Sequence, residues 1–149
     1  MANQRDVTLY QGDASPKDHG PVGIRNPDYV NVNGPDGKPK LSAAFTDSQL
    51  KAVADGALKQ CDALDGLADG MINDFKACKF DPKSLQCGTG DNKDPQQCLS
   101  AAQVAALKDI TGGARNSRGE SLYGATPYDT GIAQPAWRGM HLGTGDGAP

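Results

Sequence analysis

Three aspartates, Asp62, Asp65 and Asp69, crowd into the segment Cys61-Asp62-Ala63-Leu64-Asp65-Gly66-Leu67-Ala68-Asp69-Gly70-Met71-Ile72. At spacings of three and four residues their charges repel one another if they gather without a cation. Gly66 and Gly70 allow the sharp bends that turn backbone carbonyls inward. A calcium ion takes roughly six to eight oxygens at about 2.3–2.6 Å, mixing carboxylates, carbonyls and water. The side chains of Asp62, Asp65 and Asp69 with the carbonyls of Leu67 and Met71 supply such a set. Ca2+ is therefore the cofactor this segment predicts. An EF-hand does not account for it. With Asp65 in the first loop position, the third is Leu67 and the twelfth is Lys76, where a bidentate Glu is required. Mg2+ is less suited, since it seldom uses an all-protein cage. Asp–Gly turns without metal are the alternative that spacing leaves open.

The cysteines are the second chemical signal. Cys61, Cys78, Cys87 and Cys98 are the full set of four, and no pair has the two-residue spacing of a zinc knuckle. His19 and His141 lie far from them in sequence, which further weakens zinc. Two disulfides fit better, and they point to an exported, oxidising setting. Of three possible pairings, Cys61–Cys78 with Cys87–Cys98 is chosen because it closes two short separate loops. Each bridge is expected to contribute roughly 2–4 kcal/mol. No secretory segment is readable here, so the expectation is a secreted or periplasmic parent protein of which this chain is a piece.

Catalytic groups, by contrast, are not readable. No serine stands in a Gly-x-Ser-x-Gly elbow, and Ser48 and Ser100 are accounted for by helix starts. Nothing in sequence pairs His19 or His141 with a nucleophile. A glutamate occurs only at Glu120, so 17 of the 18 acids are aspartates of turn type. That argues against a glycosidase-like carboxylate pair. No phosphate-binding Gly-rich loop and no basic-aromatic patch is present.

Two helices must position this loop. Thr46 and Gln49 form a capping box, and Phe45 can staple onto Leu50. Leu50, Val53, Ala54, Ala57 and Leu58 then fall on one face, predicting a helix over about 47–60 that delivers Cys61. Ser100 and Gln103 repeat the logic, with Val104, Leu107 and Ile110 as the stripe and Gly112-Gly113 as the stop. Joined by the disulfide-bearing loop, the two helices are expected to form a hairpin. Residues 1–44 carry Gly and Pro at short intervals and read as an extended arm, with Val7, Leu9 and Tyr29–Val32 as short strand pieces. Residues 143–149 read as a linker-like tail. The lone Trp137 is suited to closing the edge of a small core.

Composition agrees with a stapled, loop-rich unit. The 149 residues include 19 Gly and 10 Pro, and 37% are hydrophobic. A net charge of −3 argues against nucleic acid and anionic membranes as partners. No run is long and apolar enough to be a membrane-spanning helix.

The stretch from Gln60 to Cys87, with its Cys-Asp-Ala-Leu-Asp-Gly-Leu-Ala-Asp-Gly start, resembles the lid of the tannase/feruloyl esterase family. That family is related to hydrolases of terephthalate monoesters. Cys98-Leu99-Ser100-Ala101-Ala102-Gln103, the Gly112–Gly119 segment, Leu122-Tyr123 and Gly131 through Arg138 are similar to the continuation of that lid. The resemblance covers about residues 45–142 and implies several expectations. Asp62, Asp65 and Asp69 with the carbonyls of Leu67 and Met71 match a lid calcium site. Cys61–Cys78 matches a bridge bracketing it, and Cys87–Cys98 a second small one. The fold implied is mainly α with irregular loops and short β pieces, a disulfide-stapled lid domain of an α/β-hydrolase whose core is absent from this chain. The partners implied are that catalytic core, which carries the Ser-His-Asp triad, and an aromatic ester substrate. No catalytic residue is assigned here, and Trp137 is the one candidate substrate contact. Two other readings remain open: a stand-alone exported calcium-binding interaction module, and a small independent hydrolase.

Overall fold

The computed structural model describes residues 41–88, 94, 96–113 and 118–142. Most of the 1–44 arm, its strand pieces and the 143–149 tail lie outside these residues. Three α-helices organise the rest: α1 (Asp47–Cys61), α2 (Ala101–Thr111) and α3 (Pro135–Leu142). Short 3-10 turns occur at Leu41–Ala43, Asp62–Asp65, Pro82–Leu85 and Thr130–Ala133. Among the described residues β pairing is confined to isolated bridges, such as the parallel one between Gln86 and Leu99. Among the described residues the fold is mostly helical with little strand.

Both capping boxes form. Thr46 Oγ1 accepts from the Gln49 N–H at 3.1 Å, while Gln49 Oε1 accepts from the Thr46 N–H at 3.0 Å. At α2, Ser100 Oγ accepts from Gln103 N–H at 3.1 Å and Gln103 Oε1 accepts from Ser100 N–H at 2.9 Å. These bonds satisfy helix N–H groups that otherwise have no intrahelical partner. α1 buries Leu50, Val53, Ala54, Ala57 and Cys61, close to the expected stripe. Its residues match the prediction to within one at the C-terminus.

The expected hairpin does not form. The two glutamines reach across, Gln103 Nε2 donating to Gln49 Oε1 at 2.9 Å and Gln49 Nε2 to Gln103 Oε1 at 3.2 Å. Each also donates to a carbonyl ahead of the other helix, Ala44 at 2.8 Å and Cys98 at 2.9 Å. α1 and α2 therefore meet start to start, whereas a hairpin sets the end of one helix beside the start of the next. The flank of α1 is packed instead by the Thr130–Ala133 turn, which contributes buried Ile132.

The buried face of α2 also differs from the expected stripe. Gln103, Val104, Ala106, Leu107 and Thr111 are buried, while Ile110 is only half-buried. Thr111 tolerates this position because its hydroxyl donates to the Leu107 carbonyl at 2.8 Å and lies 2.9 Å from the Tyr128 hydroxyl. Burial pushes the Tyr128 phenol above its ordinary value of 10.0.

The core joins Ala44, Phe45, Leu50 and Val53 to Leu99, Val104, Leu107, Ile132 and Leu142. Residues 41–44, grouped with the arm on sequence, thus belong partly to the folded body, since Ala44 is in that core. Arg138 on α3 secures this entry, donating to the Ser42 and Phe45 carbonyls at 2.9 and 2.7 Å and pairing with Asp47 at 2.8 Å. No described helix is long and apolar enough to cross a membrane.

Gly56 marks a close approach on α1. A Cβ there would sit 3.0 and 3.3 Å from ring carbons of Phe80, which itself packs edge-on against Tyr128 at 5.3 Å. In an open helix Gly→Ala stabilises by about 1 kcal/mol. Here Gly56→Ala is expected to destabilise by about 1 kcal/mol, because the held ring must shift. Urea unfolding reads the sign directly.

Candidate functional site

α1 ends by carrying Cys61 into the core, fully buried, where it is bonded to Cys78 with Cα atoms 5.3 Å apart. The second bridge is Cys87–Cys98, so both pairs are those expected from loop closure, and no free cysteine remains. Between Cys61 and Cys78 the chain makes one 3-10 turn and then two left-handed bends, at Gly66 (φ 97°) and Gly70 (φ 85°). Nothing crowds either glycine, so backbone conformation rather than space calls for glycine there.

Each of the three aspartates holds a backbone N–H. Asp65 Oδ1 accepts from Leu67 at 3.0 Å, and Asp69 Oδ1 accepts from Met71 at 3.1 Å. Asp62 Oδ1 accepts from Gly70 at 3.0 Å, closing the loop across eight residues. Asn73 Nδ2 donates to Asp65 Oδ2 at 2.7 Å. The Asn73 amide first, and the Leu67 N–H second, hold the Asp65 carboxyl below its ordinary 3.8. Sequence reasoning missed Asn73, because an eight-residue separation inside a loop leaves no local pattern.

The predicted ligand residues therefore share one disulfide-closed loop, but their carboxylates are not gathered to a point. Among the described residues no three Asp, Glu, His or Cys side chains converge as a metal cage. No described Lys or Arg pairs with Asp62, Asp65 or Asp69. The second oxygens of Asp62 and Asp69 have no described protein donor. Hard, anionic oxygens without a paired cation suit a calcium ion in chemistry. Closing around one would require the loop to draw these oxygens inward.

Asp81, just beyond Cys78, is by contrast paired with a cation. Asp81 caps the Pro82–Leu85 turn through Lys83 N–H at 2.8 Å and pairs with Lys108 of α2 at 2.9 Å. Burial alone raises the Asp81 carboxyl. The Lys108 ammonium and the Lys83 N–H outweigh it, leaving the group below its ordinary value.

Trp137 is half-buried against the core and stacked on His141, with ring centroids 4.2 Å apart. His141 Nδ1 lies 2.9 Å from the Trp137 carbonyl, and so carries the proton of that bond. The described serine hydroxyls of Ser84, Ser100 and Ser121 serve local backbone bonds. His19 lies outside the described residues.

A helical, doubly disulfide-bonded unit with an acidic loop is thus what the residues build. Residues 31–143 match the family described as tannase and feruloyl esterase, and the chain belongs to that family. It is 35% identical over 126 residues to the mono(2-hydroxyethyl) terephthalate hydrolase of Piscinibacter sakaiensis, covering 72% of this chain and 20% of that one. A probable feruloyl esterase B-1 of Aspergillus fumigatus is 30% identical over 95 residues, covering 64% of this chain and 17% of that one. The crystal structure of feruloyl esterase B from Aspergillus oryzae superposes with a TM-score of 0.57 at 26% identity, covering 77% of this chain and 22% of that one. The chain spans about a fifth of the length of these relatives.

Proposed function

We propose that this chain is the calcium-binding lid domain of a tannase/feruloyl-esterase-type carboxylic ester hydrolase, shaping the aromatic-ester pocket of a separate catalytic core. The observation that carries this reading is the match of residues 31–143 to the family in a chain one fifth the length of its relatives. The core of the parent enzyme performs Ser-His-Asp acyl transfer. This domain supplies the roof of the pocket, and among the described residues His141 is engaged with Trp137 and the hydroxyls of Ser84, Ser100 and Ser121 with backbone. Trp137 meets substrate in this reading only along the edge left open by its stacking on His141.

Asp62, Asp65 and Asp69 with the Leu67 and Met71 carbonyls would hold the ion. A bound Ca2+ supplies charge neutralisation and cross-linking of the loop, not chemistry on the ester. Asn73 orients Asp65 from behind. Protons compete for Asp65 only below its ordinary value of 3.8. Asn73→Ala is expected to weaken calcium binding roughly tenfold, the usual loss on removing an outer partner of a metal ligand. A calorimetric Kd within a factor of about two of the parent would show that Asp65 needs no such support. The two disulfides fit a secreted or periplasmic parent.

The lid role is tested by exchanging this chain for the matching segment of Aspergillus oryzae feruloyl esterase B. The chain alone is expected to hydrolyse no methyl ferulate, and the chimera to hydrolyse it with an altered KM. Activity of the chain alone that disappears on substituting one of its serines or histidines would overturn the assignment.

A further inference from the structure

The two disulfides are not equivalent. Cys61 is fully buried and its partner Cys78 half-buried, whereas Cys87 is exposed at one end of the second bridge and Cys98 is buried at the other. Thiol–disulfide exchange requires a thiolate to reach one sulfur, so access ranks the two bridges. Cys87 lies where chain segments are tied together. Its N–H donates to the Leu99 carbonyl at 2.8 Å, and the Leu99 N–H donates to the Leu85 carbonyl at 2.9 Å. Leu99 is wholly buried, and the Cys98 carbonyl accepts from Gln49 Nε2 at 2.9 Å. One exposed cysteine residue is thus covalently joined to the residue that docks the start of α2 onto α1.

We propose that Cys87–Cys98 is a redox-sensitive latch, opened at Cys87 by an external dithiol ahead of Cys61–Cys78, and that its opening loosens the joint between the starts of α1 and α2. In the first step a thiolate of the dithiol attacks Cys87 Sγ. An S–S bond to Cys87 forms, the Cys87–Cys98 bond breaks, and its electron pair leaves on Cys98 Sγ. In the second step the other thiol of the reductant attacks the mixed disulfide. It closes the reductant's own disulfide and releases Cys87 as a thiolate. The dithiol is oxidised by two electrons, and its two protons end on Cys87 and Cys98. Cys61–Cys78 keeps the acidic loop closed throughout, so the latch acts on the helix joint alone.

The oxidised 149-residue chain is exposed to graded dithiothreitol under native conditions, alkylated and mapped by mass spectrometry. Cys87 and Cys98 are expected to label together about tenfold or more faster than Cys61 and Cys78. In the singly opened form, amide hydrogen exchange at Cys87 and Leu99 is expected to rise about tenfold, with the α1 interior still protected. A Cys87→Ala/Cys98→Ala variant should show the same exchange without reductant. Equal labelling of both bridges, or earlier labelling of Cys61 and Cys78, overturns the proposal. So does an opened form whose Leu99 amide exchanges as slowly as in the oxidised protein.

Discussion

Gln103→Leu is expected to destabilise the fold by about 2–4 kcal/mol, the cost of leaving buried partners without bonds. Gln103 is 9% exposed, and its amide serves four groups: the Ser100 N–H, the Ala44 carbonyl and both polar atoms of Gln49. Leucine fills similar space, so little of the loss comes from packing. It comes from a Ser100 N–H that loses its acceptor, an orphaned Ala44 carbonyl and a Gln49 amide deprived of its counterpart. Adding Gln49→Leu removes part of that mismatch. The double variant is therefore expected to cost less than the sum of the two singles. Strict additivity in urea unfolding would show that the glutamines act only as separate helix caps.

Removing the first bridge, as Cys61→Ala with Cys78→Ala, is expected to cost about 3 kcal/mol by loop-closure entropy. The loop it closes has a sequence separation of 17. Alanine avoids placing a hydroxyl at the fully buried Cys61 position. The same change frees the ends of the segment that carries Asp62, Asp65 and Asp69, so calcium should no longer raise the melting temperature. A loss under about 1 kcal/mol would mean that hydrogen bonds such as Gly70 N–H to Asp62 hold the loop without the bridge.

What could be read from sequence was local. Thr46/Gln49 and Ser100/Gln103 are four-residue patterns whose partners lie within one helical turn, and both formed as capping boxes. The disulfide pairing followed from short loops, and the two loop glycines from their place between aspartates. What escaped was long-range. Gln49 and Gln103 are 54 residues apart, so no window shows that two separate caps become one joint. The same joint excludes the hairpin that short amphipathic helices suggest. Burial of Thr111 in place of Ile110 depends on Tyr128, 17 residues on. α3 was missed because it is only eight residues long and contains Gly139. Pro135 at its first position was the available signal, and its stability rests on Arg138 reaching carbonyls more than ninety residues away. The acidic loop was legible as a set of residues. Its use of three carboxylates as backbone acceptors, with Asn73 behind Asp65, was not.

Calcium titration of the oxidised chain, by calorimetry and thermal unfolding with and without EDTA, addresses the proposed lid most directly. A calcium-binding lid is expected to take up a single calcium ion per chain, to melt at a lower temperature on chelation, and to lose both effects in Asp65→Asn. Folded, oxidised protein that takes up no calcium and melts identically in EDTA would contradict it. Asp62, Asp65 and Asp69 would then be turn residues only.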